Sequence, residues 1–273
     1  MKKIIIEGNH PLSGKIKIGG AKNSVVALIP AAIMAKGKVK ISNVPNISDK
    51  DALIEILKLL NVDVKKSTGI IEIDASNIKN CLIPESLSNK LRASYYFMGA
   101  LLTKYKHVEM YFPGGCNIGA RPINIHLEGF KKLGATVIED NNRYIIKADK
   151  LVGTNIYLDV ASVGATINLM LAAVKAEGTT TLENAAREPE IVNVATFLNS
   201  MGAKITGAGT SVIKIKGVSK LTGGFTEIIP DRIEAGTYVI MGALLGNNLK
   251  IDNIIPSHLE ALTSKLLATG ANI

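Results

Sequence analysis

The chain has 273 residues, 47% of them hydrophobic and few aromatic, with a formal charge of +9, enough apolar material for one large domain and further structure beside it. Cys81 and Cys116 are too few for a disulfide framework, no apolar run reaches the roughly 18–20 residues that span a bilayer, and MKKIIIEGNHPLSG is no signal peptide, so a cytoplasmic protein without a membrane anchor is expected. The basic residues are dispersed and aromatics scarce, which points to small anionic ligands and away from a nucleic-acid stacking surface.

In chain order the predicted elements repeat. GAKNSVVALIPAAIMAKG reads as a buried helix, KVKIS as a short strand, DALIEILKLLNVDV as an amphipathic helix, and VDVKKSTGIIEID as a hairpin. The second copy is RASYYFMGALLTKY, HVEMYF, INIHLEGFKKLGATV and ATVIEDNNRYIIKA. The third is SVGATINLMLAAVKAEG, TTTLE, EIVNVATFLNSMGAKI and AKITGAGTSVIKIKG, and a fourth begins with RIEAGTYVIMGALLGN, LKID and HLEALTSKLLATGANI. The turns at Asn61, Gly134, Gly202 and Gly270 recur about every seventy residues, where a left-handed helix cap belongs. Three such units can close around a shared helical core, so residues 20–229 are expected to form one complete α/β domain. Residues 1–19 with 230–273 would be part of a second, cut off before its hairpin.

Chemistry is expected at the starts of the buried helices, which expose free N–H groups and positive dipole ends. Lys22, Asn23, Arg92, Ser94, Ser162, Thr166, Arg232 and Glu234 stand there. Ser162 and Thr166 read as caps; the cations Lys22, Arg92 and Arg232, which the dipole repels, read as ligand-binding. The second copy also carries a longer glycine-rich connection, PGGCNIGARP, expected to act as a mobile lid. Cys116 within it has two readings: a low-pKa thiol near a helix start, suited to nucleophilic or acid chemistry, or a small buried hydrophobe. His126 is expected at the surface and Cys81 to be structural.

The stretches GGAKNSVVALIPAAI, LRASYYFMGALL, PGGCNIGARPINIH, SVGATINLMLAA, ENAAREPEIVNVATFLNSMGAKI and PDRIEAGTY resemble the UDP-N-acetylglucosamine 1-carboxyvinyltransferases, or enolpyruvyl transferases, along the whole chain. The resemblance implies an inside-out α/β barrel fold of repeated units. It also implies the first committed step of peptidoglycan synthesis: transfer of the enolpyruvyl group of phosphoenolpyruvate to the 3-hydroxyl of UDP-N-acetylglucosamine, with release of phosphate and no cofactor or metal. By its motif Cys116 is similar to the cysteine that protonates phosphoenolpyruvate, can form an adduct with it, and is alkylated by fosfomycin. Lys22 and Arg121 resemble ligands of phosphoenolpyruvate, with Asn23 beside the reacting centre. Arg92, the run Arg121, Pro122, Ile123, Asn124 and Ile125, and the run Ser162, Val163 and Gly164 match positions that hold the UDP-sugar. Two departures stand out. Val160 replaces a lysine found in some members, and members continue far past residue 273, including the aspartate expected as general base. A truncated, non-catalytic remnant that at most binds UDP-sugar is therefore the alternative; the shikimate-pathway relative is disfavoured by the Cys116 loop.

Overall fold

The computed structural model describes residues 3–8, 10–114 and 123–273. In chain order its elements are β1 (Leu12–Lys17), α1 (Lys22–Ala32), β2 (Lys36–Ser42), α2 (Ser48–Leu59), β3 (Asp63–Ser67), β4 (Ile70–Asp74) and the single turn α3 (Glu85–Ser88). A 3₁₀ turn, Arg92–Tyr95, then leads into α4 (Tyr96–Tyr105), followed by β5 (His107–Tyr111), α5 (Asn124–Lys132), β6 (Thr136–Asp140) and β7 (Arg143–Lys147). Next come β8 (Asn155–Tyr157), α6 (Val163–Ala173), β9 (Thr179–Glu183), α7 (Pro189–Ser200), β10 (Lys204–Thr206), β11 (Val212–Lys216) and β12 (Thr222–Glu227). The last are α8 (Arg232–Leu245), β13 (Gly246–Asp252) and, after a 3₁₀ turn, α9 (Glu260–Ala268).

The chain forms two compact units. The larger, Lys22–Ile228, is built on α1, α4 and α6, whose side chains are buried along nearly their whole lengths. These helices are apolar along most of their length and carry no charged residue in mid-helix, so burial supplies most of what holds them. Around them lie three sheets of one design, ordered β12-β2-β4-β3, β5-β7-β6 and β8-β9-β11-β10. In each, the strand that follows a buried helix pairs antiparallel with a hairpin. On its other side it meets an earlier or later segment in parallel: β12 on β2, Ile83 on Met110, β8 on β9. The amphipathic helices α2, α5 and α7 bury one face each, and Asn61, Gly134 and Gly202 close them with positive φ.

Where β2 and β9 end, Asn43 and Asn184 take left-handed φ values of 55° and 53°. Each side chain donates across to the neighbouring parallel strand, Asn43 Nδ2 to the Ile228 carbonyl and Asn184 Nδ2 to the Leu158 carbonyl, both at 2.8 Å. Asparagine tolerates this conformation and supplies the donor, so one residue both ends the strand and ties the edge.

The smaller unit comprises the described residues up to Ala21 together with Ile229–Ile273. Its sheet is β1 paired in parallel with β13, and its core gathers Ile18, Ala235, Val239 and Leu259. Asn253 repeats the asparagine device, donating to the Ile18 carbonyl at 2.7 Å. Of α8 only Ala235, Gly236 and Val239 are buried, in contrast to the all-round burial its apolar sequence suggests. One helix and two strands cover a single face, and Leu244 remains 75% exposed.

The helices α4 and α6 approach closely at Gly99. A Cβ on Gly99 would lie 2.5 Å from Asn168 Oδ1 and closer still to the Asn168 carbonyl oxygen. Gly99→Ala should therefore destabilise the unit by roughly 1–3 kcal/mol, as overpacking does, although alanine is the better helix former. Urea unfolding of this variant beside Ala100→Gly measures it; an unshifted Gly99→Ala midpoint would contradict the packing.

Candidate active site

Side-chain contacts bring the first turns of α1, α2, α4, α5, α6 and α7 to one end of the larger unit. Lys22, the first residue of α1, pairs through Nζ with Asp49 Oδ2 of α2 at 2.8 Å. Asn23 donates through Nδ2 to Glu190 Oε1, in the first turn of α7, at 3.2 Å. Glu190 is buried, within electrostatic reach of Tyr96 at the start of α4. Tyr95 stacks edge-on against Tyr96 and against His126 of α5, each with ring centroids 4.7 Å apart. Gly164 of α6 packs beneath the Tyr95 hydroxyl and the His126 ring. Free N–H groups and positive dipole ends are thus concentrated on one face, together with Lys22 and Arg92. Such a face attracts anions.

The sequence-derived candidates fall into distinct settings. Lys22 is about half exposed, with its side chain at 53%. Arg92 opens the 3₁₀ turn and is half-buried. Ser162 caps α6, its hydroxyl accepting from the Ala165 N–H at 3.2 Å, while Val163 and Gly164 begin that helix. Ile123 is buried and its carbonyl receives the His126 and Leu127 N–H groups; Asn124 is exposed and Ile125 half-buried. Thr166 is not a cap: it is fully buried, and its hydroxyl accepts from the Ala186 N–H at 3.1 Å, tying α6 to the loop before α7. Arg232 begins α8 in the smaller unit, behind Asp231, whose carboxylate caps that helix. Cys116, Arg121 and Pro122 lie outside the described residues.

Both flanks of the Cys116 segment are fixed. On the leading side Gly114 donates its N–H to the Ser88 carbonyl at 3.2 Å, and a side chain there would overlap Asn89. The Ser94 hydroxyl donates to the same Ser88 carbonyl at 3.0 Å, so Phe112–Gly114 is held against the segment that delivers Arg92. On the trailing side the chain enters α5 at Ile123, one turn from His126.

His126, expected at the surface, is only 4% exposed. Its Nδ1 accepts from Asn168 Nδ2 at 3.1 Å, while the same amide nitrogen donates to the Tyr95 carbonyl at 3.0 Å and Asn168 Oδ1 accepts from the Gly99 N–H at 2.9 Å. Burial, with the Arg92 guanidinium nearby, pushes the His126 pKa down to about 3. The imidazole is therefore neutral, with its proton on Nε2. Asp49, Glu190 and Asn168 were missed by sequence reasoning. Asn168 had a signal, as the one amide in the apolar run INLMLAA; Asp49 and Glu190 had only their places in first helical turns.

The profile of one family, described as EPSP synthase (3-phosphoshikimate 1-carboxyvinyltransferase), matches residues 6–273. The chain belongs to this family. It is 53% identical to UDP-N-acetylglucosamine 1-carboxyvinyltransferase 2 of Clostridium acetobutylicum over all of this chain and 66% of that protein, and 53% identical to that of Lactiplantibacillus plantarum over all of this chain and 65% of that one. The chain thus spans slightly less than two thirds of the length of these relatives. Among solved structures it is similar to the enolpyruvyl transferase NikO from Streptomyces tendae, with a TM-score of 0.83 and 26% identity over 96% of this chain and 63% of that one. An EPSP synthase from Acinetobacter baumannii, 19% identical over 95% of this chain and 61% of that one, shares the fold with a TM-score of 0.74. The fold is the inside-out α/β architecture of enolpyruvyl transferases. No helix among the described residues is long and apolar enough to cross a membrane, and no group of acidic, His or Cys side chains among them could hold a metal ion.

The buried neutral imidazole has a pH signature. His126 binds a proton below about 6.5 when unfolded but only near 3 when folded, so between those values the unfolded state holds more protons and stability falls as pH falls. The loss approaches about 1.4 kcal/mol per pH unit inside that window. His126→Gln should flatten this component, so urea midpoints of the two proteins should converge toward low pH; parallel pH profiles would show that His126 titrates normally.

Proposed function

We propose that the chain carries an enolpyruvyl-transfer site that joins the enolpyruvyl group of phosphoenolpyruvate to the 3-hydroxyl of UDP-N-acetylglucosamine, a cytoplasmic step toward peptidoglycan. The observation that carries this reading is the convergence of helix N-termini with Lys22, Asn23 and Arg92 on the face that the anchored flanks of the Cys116 segment adjoin. The names of relatives at 53% identity support the acceptor.

In this reading Lys22 and Arg121 neutralise the phosphate and carboxylate of phosphoenolpyruvate, with Asn23, steadied by Glu190, beside the reacting carbon. Arg92, Arg121 to Ile125, and Ser162 to Gly164 hold the UDP-sugar. The Cys116 thiol gives a proton to the methylene carbon, which leaves positive charge on the carbon bearing the phosphate. The sugar oxygen bonds to that carbon as its hydroxyl proton passes to a general base. Return of a proton from the new methyl group to the Cys116 thiolate then expels phosphate, restores the double bond in the product enol ether and regenerates the thiol. The helix dipoles and fixed cations stabilise the anionic groups throughout.

The test has two arms. Fosfomycin, with UDP-N-acetylglucosamine present, is expected to add one covalent equivalent to the chain by intact mass and none to Cys116→Ala. UDP-N-acetylglucosamine is expected to shift the melting temperature upward, and shikimate 3-phosphate to leave it unchanged. An adduct that survives Cys116→Ala would refute the role of the thiol. A response to shikimate 3-phosphate in place of the UDP-sugar would move the chain to the other branch of its family.

A further inference from the structure

The three sheets of the larger unit share one design, so each is an internal control for the charge on the others. Strand register places Lys38, Asp74 and Asp63 in one outward row of the first sheet and Lys40, Glu72 and Lys65 in the next, three basic residues against three acidic. On the second, Lys147 and Arg143 face outward with Glu109 and Asp140, two against two, and Arg143 pairs with both acids. The third differs. Its outward rows are Thr179, Lys216 and Lys204, then Thr181, Lys214 and Thr206, with Glu183 one row further on, opposite Val212. That is three lysines against one distant carboxylate.

Lys204 and Lys216 are direct cross-strand partners, an arrangement in which like charges repel. All three lysines are exposed, and none makes an ion pair or side-chain hydrogen bond among the described residues. With Thr179, Thr206 and Asn199 they border an open concavity of about 360 Å³. That volume lies at the small end of the range for small-molecule sites, about 300–1,000 Å³. The edge beside it is closed to an added peptide strand: Asn199 donates to the Ile205 carbonyl and accepts from the Ile205 N–H, both at 2.9 Å, so the outward backbone groups of β10 are already satisfied.

We propose that this face, on the β10-β11-β9 sheet and apart from the candidate active site, binds a ligand carrying two or more adjacent phosphate groups. Lysine ammonium groups act as point charges toward phosphate and impose no fixed geometry, whereas the forked arginine that suits a single carboxylate is absent from the lining. The threonine hydroxyls add donors, and the spread of the lysines over two rows matches an extended polyanion better than one phosphate. Bound anion would relieve the Lys204–Lys216 repulsion.

Calorimetric titration with tripolyphosphate at low salt tests this. Saturable binding is expected, tighter than that of inorganic phosphate, and weaker by about tenfold or more in Lys204→Ala/Lys214→Ala/Lys216→Ala. Lys38→Ala/Lys40→Ala/Lys65→Ala, the matched change on the first sheet, should bind as the unmodified chain does. Should the triple variant fold poorly by circular dichroism, Lys214→Gln alone should still weaken binding measurably. A nucleoside triphosphate and vesicles of phosphatidylglycerol separate the sources: competition by the nucleotide supports a free ligand. No saturable binding, binding unchanged in the lysine variants, or vesicle binding without tripolyphosphate binding would each overturn the proposal.

Discussion

The Asn168 amide is the interaction on which the larger unit turns. An amide inside an apolar helix is costly unless every hydrogen-bonding group finds a partner. Here the nitrogen serves the Tyr95 carbonyl and His126, and the oxygen serves the Gly99 N–H. Tyr95 and Gly99 are four residues apart, the spacing of one α-helical bond, so the amide reaches the two groups that such a bond would join. It does so where the 3₁₀ turn gives way to α4. The close approach that this requires leaves no room for a side chain at residue 99 and brings α4, α5 and α6 into one register. Arg92, His126 and Gly164 then occupy one neighbourhood because their helices cannot slide independently.

A second constraint comes from connectivity. β1 precedes α1 in the chain but pairs with β13, which follows α8; β12 precedes α8 but pairs with β2, which follows α1. Each unit therefore completes its sheet with a strand far away in sequence. Such pairings close long loops before they are rewarded, which makes them late events in folding. The asparagines at 43 and 253 stand at these same exchanges and fasten them, whereas Asn184 fastens the local pairing of β8 with β9.

Much of this was legible from the residues. The all-apolar helices, the hairpins and the left-handed turns at Asn61, Gly134, Gly202 and Gly270 follow from periodicity and from what asparagine and glycine permit, and they appear where the pattern puts them. His126 was not legible. Its burial depends on a partner 42 residues away, and a histidine on an amphipathic helix looks the same in sequence whether it faces water or an amide. Thr166 misled for a related reason: a hydroxyl in a first helical turn suggests a cap, but the donor it meets is on another segment. Asp49 and Glu190 were hidden because charge pairing across elements leaves no spacing rule. The even scatter of lysines along the sequence likewise conceals their grouping on one sheet, since cross-strand register, which composition does not record, decides which of them face each other.

Chemistry is expected where the repeat departs from its own symmetry, for a repeated part that satisfies itself has nothing left to bind with. The residue after the central strand is asparagine at 43, 184 and 253, and in each case its side chain closes the sheet edge. In the second copy that place is taken by Phe112, whose N–H goes to the Asn142 carbonyl, and the chain is instead steered by Pro113 and Gly114 against Ser88. The described chain therefore leaves this strand without the asparagine tie and is fastened at Gly114 to the Ser88 carbonyl instead. The first turns show the same logic, with cations at 22 and 92 but a self-capping serine at 162. Two of the three equivalent helix starts thus carry fixed positive charge, and the third presents its capped backbone. An asymmetric ligand with anionic groups at one end and a hydroxyl-rich, polar body at the other fits such a face better than a symmetric one, because a threefold ring of identical groups could not distinguish its ends.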